Sequence, residues 1–164
     1  MGFQFDKLSV LVVEDTAPMQ KLVCSVLETL GIGRIYTADD GDSGFNVFCR
    51  ENPDIVITDW HMIPSSGIEL VEKIRKHKRS PNKTVPIIIM TGYSAMPRVT
   101  KARDTGTTEF LVKPFSAADL ARRIAYVINK PRDFIDSDIY FGPDRRRRKV
   151  ENYKGPHRRE KDRN

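Results

Sequence analysis

Long apolar runs are scarce in this chain of 164 residues. The longest, such as VPIIIM at 85–90, fall far short of the roughly 20 residues a helix needs to cross a bilayer. The opening stretch, MGFQFDKLSV, lacks the charged-then-apolar pattern and small-residue cleavage site of a secretory leader. A cytoplasmic protein is therefore expected. Cysteine is scarce as well. Cys24 and Cys49 have no metal-ligand spacing, and two cysteines make no secreted disulfide framework. Each falls in a segment of helical apolar spacing, so each is expected to be a buried, reduced thiol. Excess charge is missing from most of the chain. Residues 1–129 hold 16 Lys and Arg against 15 Asp and Glu, while residues 130–164 hold 12 against 7. The net charge of +6 therefore sits almost wholly in the tail, and only the tail is suited to an acidic partner.

What is present is a regular alternation. LSVLVV (8–13) is a continuous apolar run, as expected of a strand buried on both faces. From Met19, residues Leu22, Val23, Val26, Leu27 and Leu30 recur at helical spacing until Gly31 stops them. RIYTA (34–38) reads as a second strand. A helix with Phe45, Phe48 and Cys49 on one face follows and ends at Pro53. DIVITD (54–59) is the third strand. Gly67 opens a helix with Leu70, Val71 and Ile74 inward and a basic end, RKHKR, suited to a helix C-terminus. VPIIIM is the fourth strand, 96–105 a helix with few apolar groups, and EFLVK (109–113) the fifth strand. Ser116 and Asp119 form a capping-box pattern before the apolar stripe that runs to residue 129. Five strands alternating with five helices predict an α/β fold with a doubly wound parallel sheet. Such sheets bind ligands at the carboxyl ends of their strands.

Those ends carry chemistry. The first strand delivers Glu14 and Asp15, the third Asp59, the fourth Thr91 and the fifth Lys113. Two unit charges about 5 Å apart repel by roughly 3 kcal/mol at an effective dielectric near 20, so three gathered acids call for a cation. Hard oxygen ligands with room for waters suit Mg²⁺. A lysine and a hydroxyl donor beside them suit a phosphoryl group on a carboxylate. Each residue alone has a plainer use, as a helix cap, a turn hydroxyl or a surface lysine. Their convergence on one edge of one alternating fold favours the chemical use.

VVEDT, DIVITDWHM with its following glycine, MTG and FLVKPF, in this order over residues 8–129, resemble the receiver domain of two-component response regulators. The resemblance implies a flavodoxin-like sheet of order 2-1-3-4-5, with Asp59 accepting a phosphoryl group from a histidine kinase or histidine phosphotransfer protein. It implies that Glu14, Asp15, Asp59 and the backbone carbonyl of His61 hold Mg²⁺. Thr91 and Lys113 would contact the phosphoryl group, with a cis bond between Lys113 and Pro114, and Phe110 would be the aromatic switch that turns inward as Thr91 moves. Here Ile63 stands where the family has proline after the methionine, and Pro64 comes one place later. His61 and Tyr93 hold the positions that tune phosphate lifetime in the family. Both are bulky, which predicts slow loss of phosphate.

The chain thus divides into a receiver at 1–129 and a basic extension at 130–164. The extension repeats Y-x-G-P-x-R-R, from Tyr140 and again from Tyr153. Gly-Pro breaks regular structure, so each copy reads as a turn followed by arginines: Arg145, Arg146, Arg147 and Arg148 in one, Arg158 and Arg159 in the other. The preceding DFIDSDIYF has enough apolar residues to pack on a neighbour, the thin apolar face at 96–105 being one candidate. An acidic protein is the preferred partner of the arginines, ahead of nucleic acid or an anionic membrane. The reading is a single-domain response regulator that switches protein contacts. Two alternatives are a Mg²⁺-dependent phosphohydrolase with Asp59 as nucleophile and a nucleic-acid-binding regulator acting through its tail. The first is disfavoured because similar enzymes need an acid where His61 stands.

Overall fold

The computed structural model describes residues 5–92, 105–129, 134–136 and 141–143. Its strands are β1 (Ser9–Val13), β2 (Arg34–Ala38), β3 (Ile55–Asp59), β4 (Ile87–Gly92) and β5 (Glu109–Lys113). All pair in parallel in the order β2-β1-β3-β4-β5, as the resemblance implied. Helices α1 (Ala17–Thr29), α2 (Gly41–Glu51), α3 (Gly67–Lys76) and α4 (Ala117–Asn129) are the long helices among the described residues. None of them is long and apolar enough to cross a membrane. The helix expected at 96–105 lies outside the described residues, apart from its last position.

The continuous apolar runs follow from burial on two sides. Leu11, Val13, Val56, Ile87 and Ile89 face a core shared with Phe45 and Phe48 of α2 and Leu70, Val71 and Ile74 of α3. Their alternates Val10, Val12, Ile55, Ile57, Ile88 and Met90 face Val23 and Leu27 of α1 and Leu120, Ile124 and Val127 of α4. With helices on both faces, the central strands β1, β3 and β4 are apolar at nearly every position. Cys24 and Cys49 are free thiols, half-buried, and burial raises the pKa of each.

Several boundaries differ from the periodicity. Helix α1 begins two residues before Met19, with Pro18 in its first turn, where a missing N–H costs nothing. Strand β4 runs two residues later than VPIIIM, because Pro86 precedes the ladder and only its carbonyl bonds, to the Val56 N–H at 3.0 Å. Thr91 is consequently inside the strand. Helix α2 stops not at Pro53 but at Asn52, whose left-handed backbone (φ 46) closes the helix. Its start is fixed by a capping box between Asp40 and Ser43. The box read at Ser116 and Asp119 is formed, with bonds of 3.0 and 3.1 Å in the two directions. The basic end of α3 is not uniformly solvated: Arg75 is buried.

Within the extension, two short strands, β6 (Phe134–Asp136) and β7 (Phe141–Pro143), pair antiparallel. The Gly-Pro of the first repeat is therefore strand rather than turn. Proline is tolerated there because a two-stranded ribbon has an outer edge that needs no N–H. β7 packs against α3. The arginines at 145–148, 158 and 159 lie outside the described residues.

Candidate functional site

Each βα unit delivers its last strand residues to one rim, and the side chains that arrive there form one cluster. Ligand oxygens of Glu14, Asp15 and Asp59 lie within 4.8 Å of one another. Glu14 is 1% exposed, Asp59 is partly buried and Asp15 is exposed. Lys113 reaches in from β5 and bridges two of the acids, with its Nζ 3.1 Å from Asp59 Oδ1 and 3.6 Å from Glu14 Oε2. The Lys113–Pro114 bond is cis, as the resemblance implied, and so is Ile63–Pro64.

Glu14 is held by residues that carry no signal of it in the sequence. Thr16 occupies the N-cap of α1, yet its side chain does not cap the helix. Its hydroxyl donates instead to Glu14 Oε1 at 2.8 Å. Gln20, one turn into α1, donates to the carbonyls of Glu14 and Ala38 at 3.1 and 3.2 Å and to Asp39 Oδ1 at 3.3 Å. This ties the end of β1 to the end of β2. Asp59 is fixed from the other side: its Oδ1 accepts from the Trp60 N–H at 2.9 Å. Gly67, the first residue of α3, donates its N–H to the Trp60 carbonyl at 2.9 Å. A Cβ at Gly67 would lie 2.1 Å from the Asp59 carbonyl oxygen. Sequence reading registers Gly67 as a helix start and as the glycine of the family motif, and its lack of a side chain is what lets α3 approach the acid.

Thr91 is buried, and its hydroxyl makes a long 3.5 Å contact to the Gly92 carbonyl. Phe110 is partly buried against the α2–α3 core. His61 is exposed, its ring stacked on Trp60 at 6.1 Å. Tyr93 lies outside the described residues. Thr91, Lys113 and the three acids thus share the rim, while Phe110 sits lower on β5.

The donor set fits a hard divalent cation. Among the described residues, Glu14 Oε2 is buried without a hydrogen-bond donor. Such an atom is costly unless a positive charge satisfies it, and Lys113 at 3.6 Å does so only in part. Burial, more than any other cause, raises the Glu14 pKa above the ordinary glutamate value. The Thr16 hydroxyl opposes this, Asp59 reinforces it and Lys113 opposes it. The folded, metal-free protein therefore binds this proton more tightly than the unfolded chain. Its stability should fall as pH climbs from the ordinary glutamate value through the raised folded one, and then level off. Thermal melts across that window should show the slope, Glu14→Gln should flatten it, and Mg²⁺ at neutral pH should recover the lost stability. Equal slopes in wild type and Glu14→Gln would contradict the assignment.

Comparison with known proteins agrees with this geometry. Residues 10–125 match the family model of the response regulator receiver domain. The phosphate regulon transcriptional regulatory protein PhoB of Escherichia coli K12 is 31% identical over 121 residues, which cover 74% of this chain and 52% of that protein. The chain thus spans about half the length of that relative. Chemotaxis protein CheY-3 of Vibrio cholerae is 28% identical over 75% of this chain and 93% of its own length. Among solved structures, CheY4 of Vibrio cholerae superposes with a TM-score of 0.67 at 27% identity, covering 73% of this chain and 98% of the other. The receiver domain of sensor histidine kinase PA1611 from Pseudomonas aeruginosa PAO1, which has magnesium in its active-site cleft, gives 0.67 at 25% identity, covering 75% and 98%. With the sheet order, the acidic rim and the family match in agreement over the same residues, this chain belongs to the response regulator receiver domain family.

Proposed function

We propose that this protein accepts a phosphoryl group on Asp59 from a histidine kinase or histidine phosphotransfer protein, and that the acyl phosphate changes its contacts with other proteins. The observation that carries this is the Lys113 bridge between Asp59 and Glu14 within a rim of three carboxylates. Trp60 N–H and Lys113 both hold Asp59 Oδ1, which orients the carboxylate. Oδ2 is then the oxygen that attacks phosphorus, in line with the departing histidine nitrogen. Lys113, 24% exposed, can follow the charge from the carboxylate onto the transferred group. Glu14, Asp15, Asp59 and the His61 carbonyl would hold Mg²⁺, which supplies charge neutralisation for the phosphoryl oxygens.

The weak 3.5 Å contact of Thr91 leaves little to lose when its hydroxyl turns to the phosphoryl group. Phe110 then responds as the switch. The product is the modified protein itself, so no outside substrate is turned over. We assign the tail arginines to an acidic protein partner, and the whole chain to the cytoplasm.

The test uses a small-molecule phosphodonor with Mg²⁺ and mass analysis of the intact and digested protein. One acid-stable, hydroxylamine-labile phosphoryl group on the peptide containing Asp59 is expected. No adduct, or an adduct on another residue, sinks the reading.

A further inference from the structure

Arg75 is 1% exposed and has no part in the acidic rim. Its Nε donates to the Gly106 carbonyl at 2.8 Å. Its Nη1 donates to the carbonyls of Lys83 and Val85 at 2.8 and 2.7 Å, and its Nη2 to the Thr108 hydroxyl at 3.3 Å. The Thr108 hydroxyl also accepts from the Ile87 N–H at 2.9 Å, and the Thr108 N–H donates to the Ile87 carbonyl at 3.0 Å. One guanidinium therefore pins the two chain segments that lead into β4 and β5. This is the sheet end opposite Asp59. The face of the guanidinium is covered by Phe134, from β6 of the extension, with the ring centroid 5.0 Å away. β7 packs on the same helix.

We propose that the α3 edge around Arg75 is a docking surface for the chain's own strand pair, β6 (Phe134–Asp136) and β7 (Phe141–Pro143), and that docking there orders the start of β5 and so biases the Phe110 switch. The physical link is the guanidinium. Its edge is engaged by carbonyls and by Thr108, and the aromatic ring over its face helps to keep it dehydrated. Loss of the ring admits water, which competes for the same donors and loosens residues 106–108. Thr108 immediately precedes β5 and Phe110 follows Thr108 by two residues, while Thr91 follows Ile87 by four on the neighbouring β4, opposite Val112. Docking and phosphorylation then bias one shared element and must be linked in both directions. The link to the switch rests on the phosphoacceptor reading; the docking does not.

The experiment compares the full chain with Phe134→Ala. Amide hydrogen exchange at Ile87 and Thr108 should quicken about tenfold, with the β1 amides unchanged as the internal standard. Arg75→Lys keeps the charge but loses the fork, and should move the same amides the same way. Should that variant fail to fold, Phe134→Ala decides alone. In a second arm, beryllofluoride with Mg²⁺ is titrated against the fluorescence of Trp60, the single tryptophan and the neighbour of Asp59. The half-saturating concentration should shift about threefold or more between wild type and Phe134→Ala. Unchanged exchange in Phe134→Ala overturns the docking. Faster exchange with an unchanged half-saturation overturns the bias on the switch. A wild-type protein that gives no response to saturating beryllofluoride refutes the phosphoacceptor reading and the link with it. That result is seen without any variant, so it is not confused with the other two.

Discussion

Asp59→Asn should take up no phosphoryl group from donor or kinase, and yet should be at least as stable as the wild type without metal. The first half follows from chemistry. An amide oxygen at this position still accepts from the Trp60 N–H and from Lys113, so the local geometry is kept. It is not a nucleophile towards phosphorus. The second half follows from counting charges at the rim. Asp59 lies among two other carboxylates and one lysine. At an effective dielectric near 20, carboxylates within 4.8 Å repel Asp59 by roughly 3.5 kcal/mol each and the lysine at 3.1 Å attracts it by roughly 5 kcal/mol before solvent screening, so the two repulsions together exceed the one attraction. Removing the charge should stabilise the metal-free protein by about 1 kcal/mol after screening. Mg²⁺ should then raise the melting temperature of the variant less than that of the wild type. Intact-mass analysis and paired melts with and without Mg²⁺ check both halves. Phosphoryl uptake at the wild-type level in Asp59→Asn would end the proposed chemistry. A large loss of metal-free stability would instead show that the rim is not repulsive.

Gly67→Ala should be among the most damaging single-methyl additions in this protein. The new Cβ would meet the Asp59 carbonyl oxygen at 2.1 Å and its carbon at 3.1 Å. Both are backbone atoms, so no rotamer change relieves the clash. Either α3 must move off the end of β3 or Asp59 must leave its place. Overpacking of this kind costs about 1–3 kcal/mol and sometimes more. Phosphoryl uptake should fall further than stability, because a shift of about 1 Å at the reacting group can cost about a hundredfold in rate. Gly92 is the control. It adjoins Thr91, and a Cβ there meets nothing within 4 Å among the described residues. Gly92→Ala should remain within about 0.5 kcal/mol of wild type. Denaturant midpoints and initial phosphorylation rates for the pair make the comparison. Equal, mild effects at both glycines would contradict the close approach of α3 to the acid.

Local physics made much of this molecule readable. A strand covered on both faces has to be apolar throughout, so 8–13 and the run around 55–58 announce themselves. An acid, threonine or lysine that interrupts such a run near its carboxyl end lies at or beside the strand's end, and a parallel sheet gathers those ends at one rim. Glu14, Asp15, Asp59, Thr91 and Lys113 were legible for that reason. The capping box at Ser116 and Asp119 was legible because its partners are three residues apart.

What the sequence alone could not decide depends on partners far away in the chain. Thr16 holds the N-cap position of α1, yet its hydroxyl bonds Glu14. Gln20, in the first turn of α1, joins the ends of β1 and β2 through the Glu14 and Ala38 carbonyls. Arg75 looks like part of a solvated basic helix end. It is buried because carbonyls about 8 to 31 positions away, and a ring from the extension, converge on its guanidinium. Gly142 and Pro143 look like a turn, and they form a strand because β6 lies alongside. Sequence periodicity reports which side of a segment faces an interior. Only the folded chain brings together donors and acceptors that are distant in sequence, and there the cost of leaving a buried polar group unpaired decides where each one goes.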